Sequence, residues 1–272
     1  MEVAKEIQRE YNPAHPNFER WQKARDLSDD RAKFVESVIS EFHIQGMKVL
    51  DIGAGEGNTS KLLSVKNFVI SLEPKPERIK KIKKTNSLQP IIADGLALPF
   101  KSFTFNTIIL QDVIEHLKFT NNFIYVLKNL LKENGMIYLS TPNKFSFINI
   151  ISDPHWGIPF LCLFKRDHIK KYFLKYFRKN DYNRDDIAEL LSLNEISELF
   201  GNNFHINFRT KFSVNYLMDG GKGLVWSKFH LGIVRFLNYS GLAKIIRRMA
   251  NDNFGIINKY FTPTFYIILK KK

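Results

Sequence analysis

The run Val49-Leu-Asp-Ile-Gly-Ala-Gly-Glu-Gly57 constrains the fold of this chain more than any other segment. A short apolar stretch ends in three glycines spaced two apart, and a segment of helical character follows. The pattern predicts a buried strand, a loop whose backbone only glycine adopts at low cost, and then a helix. A loop that opens a helix in this way presents free amide groups to a ligand. Glycine spacing alone also fits a purely structural turn.

The same alternation continues downstream. Strands are predicted over residues 47–52, 67–73, 90–94, 105–111 and 136–140. Helices are predicted over 57–65, 74–85 and 120–132. The second helix is basic through Lys80, Lys81, Lys83 and Lys84. The third carries Phe123, Leu127, Leu130 and Leu131 on one side. Upstream, residues 1–45 are polar and helical in character, with Phe34, Val35, Val38, Ile39 and Phe42 on one stripe. Strands that alternate with helices call for a parallel sheet covered on both faces. Ligands bind such sheets at the carboxyl ends of the strands, where the strand order reverses.

After Ser140 the alternation stalls. Residues 141–191 form an insertion with Pro142, Pro154, Pro159 and a basic stretch over 165–184. Ser192-Leu-Asn-Glu195 has the spacing of a capping box and opens a helix carrying Ile196, Leu199 and Phe200. A sixth strand is expected over 204–214, an aromatic and basic helical region over 224–249, and a last strand over 264–269. The expected organisation is one domain, 1–272. It comprises a helical segment (1–45), a cofactor-binding core (46–141), an insertion or lid (142–191) and the C-terminal part of the sheet with its basic helices (192–272).

Carboxylates at the strand ends sharpen the glycine loop. Asp51 precedes Gly53, Glu73 ends the second strand and Asp94 the third. A carboxylate in the position of Glu73 can accept from both hydroxyls of a ribose, and one at Asp94 from an adenine amino group. Each alone could be a helix N-cap. A dinucleotide fingerprint beginning at Gly53 would need glycine at 58, which is Asn58. Asp51 would repel a pyrophosphate and attract a cationic ammonium.

The combination resembles the class I S-adenosylmethionine-dependent methyltransferases. It is carried by Val49–Gly57, Leu72-Glu-Pro74, Ala93-Asp-Gly-Leu-Ala-Leu-Pro-Phe100, residues 105–110 and Asp112-Val-Ile-Glu-His-Leu117. The segments at 94–100 and 112–117 are similar to the type 11 subgroup. The resemblance implies an α/β fold, a doubly wound, mostly parallel seven-stranded sheet whose last strand is antiparallel, here with a helical insertion. It also implies S-adenosylmethionine as cofactor. Gly53, Gly55 and Gly57 would border its methionine part, Asp51 its ammonium, Glu73 its ribose and Asp94 its adenine. Gln111 would lie beside the methyl group or the carboxypropyl chain. Thr141-Pro-Asn143 and Asp153-Pro-His-Trp-Gly-Ile-Pro159 are similar to bacterial members associated with surface-glycan or glycolipid biosynthesis.

Transfer of a methyl group to a hydroxyl gains from a general base. Candidates are His116, His155 and His168, with Asp112 and Glu115 near in sequence. His116 and His155 stand at the expected cleft, and each could instead be a packing residue. No His, Cys or carboxylate spacing marks a metal site. The expected activity is O-methylation of a small molecule, a glycan or a lipid-linked glycan. The alternatives are a cofactor-binding scaffold without catalysis and C-methylation of a quinone-like lipid.

Charge bears on partners. The chain carries a net +14, and its last 72 residues hold 12 bases and 2 acids. Trp156 and Phe160 suit stacking on a sugar or an apolar chain; Lys165, Arg166, Lys170 and Lys171 suit a phosphate. Peripheral contact with an anionic membrane is one expectation, with the stretch 226–237 as an interfacial or core-packed helix. No nucleic-acid module is present in the sequence. The single cysteine, Cys162, excludes an internal disulfide. The charged start, Met1–Lys5, does not suit a signal peptide, and no stretch has the uninterrupted apolar length of a spanning helix. The expected location is the cytoplasm, with peripheral attachment at the inner face of the membrane.

Overall fold

In the computed structural model, residues 11–43, 45–118, 121–184, 186–224 and 228–272 are described. Among them seven strands are present: β1 (Lys48–Ile52), β2 (Phe68–Leu72), β3 (Leu88–Ile91), β4 (Phe105–Gln111), β5 (Leu131–Pro142), β6 (Phe204–Phe208) and β7 (Thr264–Lys271). They form one sheet in the order β3-β2-β1-β4-β5-β7-β6. The first five are parallel, and β7 runs antiparallel to both β5 and β6. The order reverses between β1 and β4, and that is where the glycine loop emerges.

Alternation along the strands divides the core in two. Ile108 and Leu110 of β4 join a cluster with Leu50, Ile52, Leu139 and Phe265. That cluster is closed by α5 (Asn121–Leu130), through Ile124 and Leu127, and by α7 (Leu193–Phe200), through Ile196 and Phe200. Ile109 faces the other way, with Val49, Val69, Tyr138 and Ile268. That side is covered by α2 (Ser28–Ser40), whose Phe34, Val35, Val38 and Ile39 are buried as the apolar stripe predicts. Both faces of the sheet are thus removed from water, which is why its strands read as near-continuous apolar runs. The remaining helices are α1 (Phe18–Asp26), α3 (Asn58–Leu63), α4 (Pro76–Ile79), α6 (Phe147–Ile151), α8 (Thr210–Met218), α9 (Lys228–Tyr239) and α10 (Leu242–Met249). The insertion also holds one further helix, Arg166–His168, Ile169–Leu174 and Lys175–Phe177, with a π-helical centre; it is labelled the lid helix after its expected role.

Several boundaries differ from expectation. The basic helix at 74–85 is only the short α4, because Ile79 and Ile82 are its sole apolar anchors and its lysines repel one another. Leu131 belongs to β5 rather than to α5; it pairs with Phe105 ahead of a register shift. β3 ends at Ile91, so Asp94 lies in the loop beyond it. The strand expected over 204–214 stops at Phe208, and α8 follows because Phe212 and Tyr216, at helical spacing, stack on each other and pack on Phe34. The region 224–249 is two helices divided at Gly241, where φ is +77°. The insertion contains α6 ahead of its prolines at 154 and 159. Residues 1–10, the residue expected to open α5, Thr120, and Trp226 lie outside the described residues.

The capping box forms in full. Glu195 N donates to Ser192 Oγ at 3.3 Å, and Ser192 N donates to Glu195 Oε2 at 2.7 Å.

Candidate functional site

The loop after β1 holds Gly53, Gly55 and Gly57 at φ +71°, +59° and +82°. The first and last are also needed for space. A Cβ on Gly57 would come within 2.6 Å of Ile82 Cγ1, and one on Gly53 within 2.5 Å of Val113 Cγ2. Gly55 differs: among the described residues a Cβ there would meet nothing within 4 Å. The crest of the loop is therefore open while its two feet are packed. Ala54 N donates to the Leu72 carbonyl at 2.9 Å, which ties the loop to the end of β2.

Glu73 follows β2 immediately and is buried. Its Oε2 accepts from Gly55 N at 2.9 Å and its Oε1 from Lys75 N at 3.1 Å. Burial pushes the carboxyl up; Arg78, Lys75 and the two amides offset this in part. Asp94 is exposed, and its Oδ1 accepts from Leu96 N at 2.9 Å in a local turn. Gln111 ends β4 and its Oε1 accepts from Thr59 Oγ1 at 2.7 Å.

Asp51 lies beneath the loop, 2% exposed. Its Oδ2 accepts from Ser60 Oγ at 2.6 Å, and Ser71 Oγ donates to Ser60 Oγ at 2.7 Å. Burial raises its pKa to about 7; the Ser60 bond opposes that shift and the Glu73 charge adds to it. A buried carboxyl of this kind gains when a cation arrives nearby. Open space over Gly55, acidic groups at the ends of β2 and beyond β3, and a desolvated carboxyl under the loop fit a cationic nucleoside such as S-adenosylmethionine. None of these groups is a cation that would favour a phosphate.

Glu115 and His116, neighbours in sequence, meet the distant His155 past β4. The rings of His116 and His155 stand edge to face with centroids 5.1 Å apart. With the carboxylate of Glu115 they place three ligand-type atoms within 4.8 Å of one another. No metal spacing was visible in the sequence because His155 is brought in by the insertion. Glu115 is 1% exposed. Its Oε2 accepts from Thr141 Oγ1 at 3.0 Å, while Oε1, like His155 Nδ1, is buried without a hydrogen-bond partner among the described residues. Burial raises Glu115 to about 7. His116 Nδ1 lies 2.8 Å from the Asp186 carbonyl oxygen. Nδ1–H donates there, so Nε2 carries the lone pair. Burial lowers both imidazoles, His155 well below the usual value, and keeps them neutral near pH 7. Burial alone would raise Asp186, but Arg184 and Lys75 hold it far below the carboxylate range.

Other groups singled out in the sequence take roles that local spacing does not show. Asp112 has φ +53°, a left-handed backbone rare outside glycine and asparagine-like residues. It is held there by an ion pair with Arg31 from α2 and by Ser140 Oγ, which donates to Oδ1 at 2.7 Å. Arg166, expected at the surface to meet a phosphate, is instead buried. Its Nη2 donates to the carbonyls of Glu115 at 2.9 Å and Leu117 at 3.2 Å, pinning the lid helix to the loop after β4. Trp156, expected to stack on a ligand, packs into the lid against Phe173. Phe160 is exposed and His168 stacks on Tyr172 at the surface.

Comparison with known proteins gives matches that include methyltransferases. A family model described as a methyltransferase domain matches residues 19–201. The ubiquinone biosynthesis O-methyltransferase of Schizosaccharomyces pombe is 29% identical over 130 residues, which span 43% of this chain and 46% of that protein. Its Bos taurus counterpart is 29% identical over 111 residues, 37% of this chain and 30% of that protein. The chain thus spans less than half the length of these curated relatives. A solved Thermotoga maritima structure, a SAM-dependent methyltransferase described as a possible histamine N-methyltransferase, aligns over 100% of this chain and 99% of its own. Its TM-score is 0.54 at 15% identity, so it bears on the fold.

Proposed function

This chain belongs to the class I S-adenosylmethionine-dependent methyltransferases, and from that premise we propose that it transfers the methyl group to a hydroxyl of a small molecule, a glycan or a lipid-linked glycan. The observation that carries the choice of oxygen is the pair His116–His155. A hydroxyl must lose its proton as it is methylated, and a neutral imidazole is suited to take it. His116 Nε2 is the accepting atom, with the ring held by the Asp186 carbonyl. His155 and Glu115 lie beside it to share or relay the proton. The activity for which the curated relatives are named, O-methylation in ubiquinone biosynthesis, supports the same atom.

The cofactor supplies a methyl group already activated on a sulfonium, so the protein's task is placement. Gly53, Gly55 and Gly57 give the methionine part close approach to the main chain. Glu73 would hold the ribose and Asp94 the adenine. Asp51 would act on the ammonium from beneath the loop, and Gln111 would border the reacting end. The whole of 1–272 acts as one catalytic unit, with 142–191 as its lid. The reaction takes place in the cytoplasm, where an amphiphilic acceptor would bring the protein to the inner face of the membrane. Among the described residues no helix is long and apolar enough to cross a membrane.

The test is conversion of S-adenosylmethionine to S-adenosylhomocysteine against a panel of hydroxylated acceptors, with mass spectrometry of the product. An O-methyl product whose rate falls at least tenfold in His116→Gln is expected. Cofactor binding without turnover on any acceptor would make the protein a scaffold, and a C-methyl product would move the acceptor to a quinone-like carbon.

A further inference from the structure

The insertion exposes an unusual amount of apolar surface. Ile151 is 70% exposed and Phe160 61%, with Phe147 and Ile148 of α6 also more than half exposed. α6 and the segment at Phe160 are adjacent: Phe160 N donates to the Ile150 carbonyl at 2.7 Å. The patch extends to the C-terminal part of the chain, because Phe147 stacks on Tyr260 at 5.9 Å and meets the exposed Phe261 edge to face at 5.3 Å. Leu163 and Phe164 carry it along the chain to the lid helix, whose Tyr172, Tyr176 and Phe177 are exposed, the last at 76%. A water-facing run of large apolar side chains on this scale marks a contact surface.

Charge identifies what the surface meets. Lys165, Lys171, Lys175 and Lys179 are exposed along the same stretch. Among the described residues 144–184, Asp167 is the exposed acid, while Asp153 and Asp181 are buried. Lys171 and Lys175 lie over the rings of Tyr172 and Tyr176, at 5.1 and 5.6 Å. Basic groups beside aromatic and aliphatic tips are the composition of an interfacial element on anionic lipid.

We propose that α6, the Phe160–Phe164 segment and the lid helix dock on an anionic lipid bilayer, with the apolar side chains entering the acyl boundary and the lysines meeting the headgroups. This deepens the proposed function and rests on its amphiphilic class of acceptor. The docking segment also supplies His155 to the site, so an acceptor would come from the bilayer directly to the paired histidines.

Flotation of the full chain with vesicles tests this without any methyl acceptor, so its outcome is independent of turnover. Vesicles of phosphatidylcholine with about 30% phosphatidylglycerol, whose anionic headgroups attract basic side chains, are compared with phosphatidylcholine alone. At least tenfold more protein is expected on the anionic vesicles. Ile151→Ser with Phe160→Ser should lose binding tenfold or more, and Lys171→Glu with Lys175→Glu should do the same. Both variants alter exposed side chains and should keep the melting temperature and S-adenosylmethionine affinity of the parent. Failure of the parent to float on anionic vesicles, equal flotation on neutral ones, or parental binding by either variant would overturn the proposal.

Discussion

The Glu73 carboxylate accepts a hydrogen bond from the Gly55 amide at 2.9 Å, so the residue that ends β2 braces the crest of the loop that follows β1. The bond couples two parts of the cofactor site: the acid assigned to the ribose also sets the loop assigned to the methionine. Glu73→Ala therefore removes both a ligand group and a brace. Its S-adenosylmethionine affinity, read by calorimetry, should fall by about 1–3 kcal/mol, the scale of hydrogen bonds to a charged group. Asp94→Ala should lose a similar amount without the brace. Parental affinity in both variants would remove these acids from the site.

Gly55 and Gly57 should respond differently to alanine. Gly57→Ala forces a Cβ against Ile82 at a φ of +82°, and unfolding by denaturant should show a loss of about 1–3 kcal/mol. Gly55→Ala strains the backbone but meets no atom, so the larger effect is expected on cofactor affinity, because the new methyl occupies the open crest. A Gly55→Ala protein that binds cofactor as tightly as the parent would mean the crest faces nothing.

The Asp51 carboxyl makes stability depend on pH in a defined window. Its folded pKa is about 7, above the ordinary value of 3.8. Between those values the folded state holds a proton that the unfolded state has released. The contribution of Asp51 to the stability of the cofactor-free protein therefore falls as pH rises from about 4 to 7 and levels off above. Asp51→Asn removes that contribution. Its melting temperature should match the parent near pH 4 and exceed it at pH 8. Parallel curves for the two proteins would show that Asp51 is ionised in the fold.

Ser192→Ala serves as a stability probe away from the site. It deletes the side-chain acceptor for Glu195 N and should cost about 1 kcal/mol in denaturant unfolding. Cofactor affinity should not change.

Glu115, His116 and His155 are gathered closely enough to invite a metal, yet the proposed chemistry needs only the lone pair of an imidazole. Turnover should survive overnight dialysis against EDTA. A loss reversed by added zinc or manganese would turn the three residues from a proton-handling group into a ligand set.

The capping box, the glycine loop and β4 were legible in the sequence because each is a local matter. Ser192 and Glu195 satisfy amides within one helical turn, a left-handed backbone asks for glycine wherever it occurs, and Phe105–Gln111 is apolar enough to be buried on both faces. Glu73 could be placed for a related reason, since it directly follows a strand whose neighbour carries the loop. Boundaries failed where the local pattern was ambiguous, as at 209–214, which reads as a continuation of β6 until Phe212 and Tyr216 are seen packed on Phe34.

What the sequence determined was the sheet, the loop and the acids around it, because backbone geometry and apolar periodicity act over a few residues. What only the tertiary structure decided was which distant side chains meet. His155 reaches His116 because the insertion folds back over the loop after β4, and Arg166 holds it there by spending its guanidinium on two carbonyls. Trp156 is core and Phe160 is surface for the same reason: the insertion builds its own small core around Trp156, Ile169 and Leu174. Side-chain partners across such distances depend on how a whole segment packs, a sum of many weak contacts that no local spacing records.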